Sequence, residues 1–186
     1  MLSQDQLIQE LYKTFGKTKI AKLTAIINEQ SLDVNTLIDL TFHADKTLGF
    51  RAMWLLDSVM LSDITRYSAK LQYLLSRIKD VRNESCKRHY ARIMMHMTMA
   101  DAPEVVKAAL QDINLEDTVE QFFDWIIDPN VKVAVKIFAA DTLFNLRHRY
   151  DWITDELANQ VAFMLRDGGP AIQSRGRKLL AALGKK

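Results

Sequence analysis

The chain has 186 residues, 48% of them hydrophobic, and a formal net charge of +2 from 25 basic and 23 acidic side chains. That length and apolar content suffice for one domain with a sizeable core and exclude an intrinsically disordered chain. Six Gly and three Pro form no long run, so no flexible linker divides the chain and a single domain over residues 1–186 is expected.

The first residues carry neither a basic n-region nor an apolar h-region, and no stretch approaches the roughly 18 uninterrupted apolar residues that a membrane span needs. A soluble, cytoplasmic protein without a membrane partner is therefore expected. The single cysteine, Cys86, suits a reducing compartment. The charge is unevenly spread. Residues 63–92 hold eight basic against three acidic side chains, residues 101–128 hold eight acidic against Lys107 alone, and residues 166–186 hold six basic against Asp167. In an architecture that keeps sequence neighbours together in space, such blocks become patches.

Apolar residues recur with helical periodicity from one end to the other. Ser3 is placed to cap a first helix with Leu7, Leu11 and Phe15 on one side and Gly16 at its end. A second carries Ile20, Leu23, Ile26 and Ile27. Asp33 or Ser31 opens a third with Leu37, Ile38 and Phe42, and a fourth runs over about 46–60. Asp63 caps a helix in which Tyr67, Leu71, Leu74, Leu75 and Ile78 share one side. Asn83 caps the next, about 84–99, and a shorter helix follows Pro103. Later helices are expected over about 116–127, 129–147, 154–166 and 170–183, with Pro129 and Pro170 in first turns, where a missing N–H costs nothing. No segment requires a strand.

Two features turn this list of helices into an architecture. An Asp followed by a turn, a cation and an apolar helix recurs at Asp45, Asp80, Asp128 and Asp167, the mark of stacked helical hairpins. At about 100° per residue, the helix over 129–147 places Val131, Val135, Phe138, Thr142 and Leu146 on one side, and Val133, Ile137, Ala140 and Phe144 on nearly the opposite side. Two apolar sides fit a helix sandwiched between neighbours, with Lys132 and Lys136 in one polar strip and Asp141 and Asn145 in the other.

The phrase Asp128-Pro129-Asn130-Val131-Lys132, followed by Phe138-Ala139-Ala140 and Leu143, resembles the second-helix signature of HEAT-type repeats. More degenerate copies run from Asp167 through Arg175 to Leu179-Leu180, from Asp80 through Arg88 to Ile93, and from Asp45 through Arg51 to Leu55-Leu56. The resemblance implies an all-α, right-handed α–α superhelix of about five hairpins, of HEAT or armadillo type. Members of such families mostly act as non-catalytic binding scaffolds.

In that arrangement the second helices line one surface, and their polar residues converge. Arg51, Trp54 and Asp57 lie outside the main apolar arc of the helix over 46–60, beside Phe50 and Ser58. Arg88, Arg92 and His96 form a row at i, i+4 and i+8, with Ser85 and His89 beside it. These six residues, Arg51, Trp54, Asp57, Arg88, Arg92 and His96, form the candidate binding site. Guanidinium groups grip carboxylates or phosphates, and Trp54 offers a flat face. The bland alternative assigns Arg51 and Asp57 to ion pairs between repeats, Trp54 to packing and the Arg row to solvent. The leading expectation is a protein partner or an acidic segment bound along this surface, with no catalysis required.

A Trp, an Asp and an Arg on a groove also resemble the HEAT-like DNA-alkylation-repair glycosylases, which would assign Trp54, Asp57 and Arg92 to a cationic base. Nucleic-acid binding is therefore the alternative, against which the acidic block over 101–128 counts. No metal or cofactor is expected: His43, His89, His96 and His148 form no ligand pattern, Cys86 and His89 supply only two ligands, and no Gly-rich phosphate loop occurs. Cys86 and Trp125 are expected in helix contacts, and Trp152 where a loop meets a helix. Met97 is expected in the core, with Met95 and Met99 beside the Arg row.

Overall fold

The structure, a computed structural model, describes residues 3–13, 16–30 and 33–184. Its elements in order are α1 (Gln4–Tyr12), α2 (Lys17–Gln30), α3 (Val34–Leu40), α4 (Lys46–Ser62), α5 (Ile64–Tyr67), α6 (Leu71–Ser76), α7 (Glu84–Met97), α8 (Glu104–Gln111), α9 (Glu116–Ile127), α10 (Val133–Leu146), α11 (Ile153–Asp167) and α12 (Pro170–Ala182). No strand occurs among the described residues.

Local chemistry starts these helices where short polar side chains can satisfy orphan N–H groups. Ser3 and Gln6 form a reciprocal capping box at α1. Asp33 accepts from Asn35 N, Asp45 from Thr47 N and Leu48 N, Asp63 from Arg66 N, and Asn83 from Ser85 N. Ser31, the other candidate cap of α3, and Phe15 of the expected α1 face lie outside the described residues. Pro170 occupies the first turn of α12 as expected. Pro129 does not open α10: Asp128 accepts from Asn130 N at 2.8 Å, and this turn delays the helix to Val133.

The helix expected after Asp63 is broken. Short 3₁₀ turns over Ser68–Lys70 and Ile78–Asp80 flank α6, although Tyr67, Leu71, Leu74, Leu75 and Ile78 are all buried as their spacing predicts. The hydroxyls of Ser68 and Ser76 donate to the Thr65 and Tyr73 carbonyls, bonds that compete with a regular helical ladder. The recurrent Asp likewise serves different ends. Asp45 caps a helix, Asp80 accepts from the Arg77 guanidinium, Asp128 shapes a turn, and Asp167 ends α11.

Packing arranges the helices in two layers. α2, α4, α7, α10 and α12 each contact the next in that order, while α3 meets α6 and α9 meets α11 in the other layer. Thr24 donates to Ser58 Oγ at 2.9 Å, and one turn later Asn28 donates to Ser62 Oγ at 3.0 Å, so α2 and α4 run in the same direction. α10 packs against α7, α9, α11 and α12, as its two apolar sides predict. Its polar strips also bridge the stack: Asn145 donates to Thr98 Oγ1, Arg175 donates to the buried Asp141, and Lys136 donates to the Ile126 carbonyl. Contact between α4 and the loop after α3 is close, because a Cβ on Gly49 would stand 2.9 Å from the Thr41 carbonyl oxygen. One cluster of buried side chains extends from Leu7 to Leu179.

Candidate functional site

α4 and α7 decide the fate of the six sequence-selected residues. Arg51 leaves the surface and turns back on the chain: its Nη1 donates to the carbonyls of Leu11, Tyr12 and Lys13 at 2.8, 3.2 and 3.2 Å. Those carbonyls end α1 and have no helical partners, so the guanidinium acts as a C-terminal cap from 38 to 40 residues away. Arg149 repeats the device on the carbonyls of Leu110, Gln111 and Ile113 after α8. Because charged donors are involved, Arg51→Ala is expected to lower stability by about 1.5–3 kcal/mol. Urea unfolding checks this, and a ligand of the groove described below is expected to bind the variant unchanged.

Asp57 corrects the sequence reading most sharply. It is 1% exposed rather than on an open face. Its Oδ2 accepts from Arg92 Nη1 at 2.6 Å and meets His89 Nδ1 at 2.8 Å. A carboxylate accepting at Nδ1 leaves the proton on that nitrogen and turns Nε2 away. α7 supplies both partners one turn apart and covers the carboxylate as it packs on α4. The Trp54, Asp57 and Arg92 triple consequently does not share a cavity. Asp57 is enclosed, Trp54 lines one groove, and Arg92 lines another with His96.

The first groove, about 390 Å³ in volume, crosses the starts of successive second helices. Phe50 and Trp54 of α4 form its aromatic floor, stacked with centroids 6.2 Å apart and planes at 29°. His89 adjoins them, its ring 6.1 Å from that of Phe50. Lys17 of α2, Arg88 of α7 and Lys132 before α10 bring three exposed cations to the rim. None of the three side chains makes an ion pair or hydrogen bond among the described residues. Among the described residues Glu84 is the one acidic group in the lining, and its carboxylate is engaged by Lys87 Nζ at 2.5 Å. The site therefore pairs an aromatic surface with an excess of positive charge.

The second groove, about 580 Å³, runs between the end of α4 and the end of α7 and includes Arg92, His96, Met99 and Asp101. Burial, followed by the positive charge of Arg92, lowers the His96 pKa below the ordinary histidine value. Arg92 has its guanidinium on Asp57, so this groove lacks the uncommitted cations of the first. The Arg row is thus split: Arg88 belongs to one groove, and Arg92 and His96 to the other.

The remaining sequence candidates fall into place by burial. Met94 and Met97 are fully buried, Met95 is half-buried and Met99 is exposed. Trp125 is buried against Phe122, whereas Trp152 is 47% exposed and packs on Phe123 where α11 begins. Burial pushes the Cys86 thiol up to about 12, so it stays protonated at neutral pH and suits a packing role. Among the described residues no three His, Cys, Asp or Glu side chains gather as metal ligands. Lys17 and Lys132 were missed as site residues. Lys132 stands inside the clearest repeat phrase and Lys17 directly after Gly16, but only the packing of α2, α4, α7 and α10 brings them together.

The model of the family described as HEAT repeat domain matches residues 7–183. No curated protein and no solved structure matches the chain.

Proposed function

The chain belongs to the HEAT repeat family, and on that premise we propose that it is a non-catalytic scaffold that binds a protein partner through the surface of its second helices. HEAT repeats generally serve protein interaction. The observation that carries the finer reading is the groove over Phe50 and Trp54, rimmed by Lys17, Arg88 and Lys132 from three different elements. These cations are exposed and uncommitted, so a partner's carboxylates meet them without first breaking an ion pair. An acidic segment is the complementary ligand. The enclosed position of Asp57 supports binding over base-excision chemistry, because its carboxylate is held by Arg92 and His89 instead of facing the aromatic floor.

The test uses two exposed positions that leave the Asp57 cluster intact. Arg88→Glu combined with Lys132→Glu is expected to weaken, by at least about tenfold, a protein captured by the wild-type chain, with an unchanged helical circular-dichroism spectrum. Undiminished affinity removes this groove from the function. Tight, steeply salt-dependent binding of duplex DNA with no captured protein replaces the scaffold reading with nucleic-acid binding.

A further inference from the structure

We infer that the groove over Phe50 and Trp54 reads a short acidic peptide segment carrying one aromatic side chain, with His89 Nε2 as its buried polar contact. The inference deepens the proposed scaffold role and rests on it. Its starting point is a group that the fold leaves unfinished. His89 is 5% exposed, and Asp57 takes its Nδ1 at 2.8 Å. His89 nevertheless lines the groove, and Nε2 has no hydrogen-bond partner among the described residues, although it is not among the polar atoms sealed from solvent. The nitrogen therefore keeps an open hydrogen-bonding position that solvent reaches and a ligand group can take over. Its ring is oriented from behind by Asp57, which Arg92 in turn secures at 2.6 Å. The orientation is therefore set before any ligand arrives.

The other contacts narrow the ligand. The Phe50 and Trp54 rings lie 6.2 Å apart and near parallel, so the apolar part of the floor is aromatic and complements an aromatic side chain. Lys17, Arg88 and Lys132 reach the rim from α2, α7 and the turn before α10, so positive charge arrives from three separate elements. That matches carboxylates on either side of an anchor residue. A peptide also supplies backbone N–H and C=O groups, one of which can meet His89 Nε2 in either protonation state. The acidic block over 101–128 and the net charge of +2 disfavour a long polyanion and favour a short acidic segment.

The full-length chain, immobilised, is panned with a random dodecapeptide display library, and the selected peptides are then measured against the Arg88→Glu/Lys132→Glu chain. The expected peptides are rich in Asp and Glu around one Phe, Tyr or Trp. Each is expected to lose at least about tenfold in affinity for the doubly substituted chain, and again when its own aromatic residue is replaced by Ala. Nitrogen NMR of the wild-type chain is expected to show the His89 Nε2 resonance shifting on peptide addition. Selected acidic peptides that need no aromatic residue, or leave His89 Nε2 unmoved, overturn this inference while leaving the acidic-segment scaffold standing. Peptides without acidic enrichment, peptides indifferent to the double substitution, or no selected peptide at all overturn both. Displacement of a bound peptide by oligothymidylate at physiological salt identifies the cleft as a single-strand site and likewise overturns both.

Discussion

Arg92→Glu is expected to destabilise the chain by about 3–5 kcal/mol, whereas Arg88→Glu, one helical turn earlier, is expected to change stability by no more than about 0.5 kcal/mol. The two arginines look alike in sequence but end in different surroundings. Arg88 is exposed on the rim of a groove. Arg92 delivers Nη1 to within 2.6 Å of a carboxylate that is 1% exposed. Replacing Arg92 with Glu removes the cation and brings a second negative group toward a buried one. His89 remains as a single partner, and the like charges cannot both be solvated there. Urea unfolding of both variants checks the contrast. Equal midpoints would show that the buried pair does little for stability and that the row is uniform after all. The same comparison explains why Arg92 is unsuitable for testing partner binding: a loss of capture would report a damaged fold.

The second large effect is expected within α10. Ala139→Asp should cost more than about 4 kcal/mol and remove the cooperative unfolding transition, while Val133→Asp on the same helix should fall within about 0.5 kcal/mol of wild type. Ala139 is fully buried in a helix packed against α7, α9, α11 and α12. A carboxylate there would lie at a position with no exposure to water. Val133 is 42% exposed in the first turn, where a negative side chain also complements the positive end of the helix dipole. Circular dichroism against urea concentration distinguishes the two. A folded Ala139→Asp chain with a normal midpoint would show that α10 is not enclosed on both sides in solution.

Val133 also shows what a periodic pattern reads and what it does not. Its position at helical spacing assigned it to an apolar side, along with Ile137, Ala140 and Phe144. Ala140 is buried and Ile137 and Phe144 are half-buried, but Val133 is 42% exposed although Val135, in the same first turn, is buried. Angular position around a helix is set by residue number alone. How far along the axis a neighbour extends is a property of packing, so the ends of a buried stripe escape the pattern. The broken helix after Asp63 escapes the pattern too: the period survives in five buried side chains, whereas no Gly or Pro announces the 3₁₀ turns that interrupt it.

The candidate site divides along similar lines. Trp54 and Arg88 lie together on the groove, and both stood out as residues away from the apolar arc of their helices. Arg51 and Asp57 met the same criterion, yet one caps α1 from a distance and the other is enclosed by α7. A long polar side chain can reach water, a backbone terminus or a buried counterion from the same helical angle. The choice depends on partners that are 32 to 40 residues away in the chain.

What this sequence determined by itself was therefore the order of helices, most of their caps and the two-sided burial of α10, because hydrogen bonding along a helix and the spacing of apolar residues are local. Tertiary structure decided which polar residues remain available. By laying α7 across α4 it turned Asp57 into the buried support of His89, and by setting α2, α4, α7 and α10 side by side it gathered Lys17, Arg88 and Lys132 around Phe50 and Trp54. Those outcomes depend on distances between separate helices, which no spacing within one helix encodes.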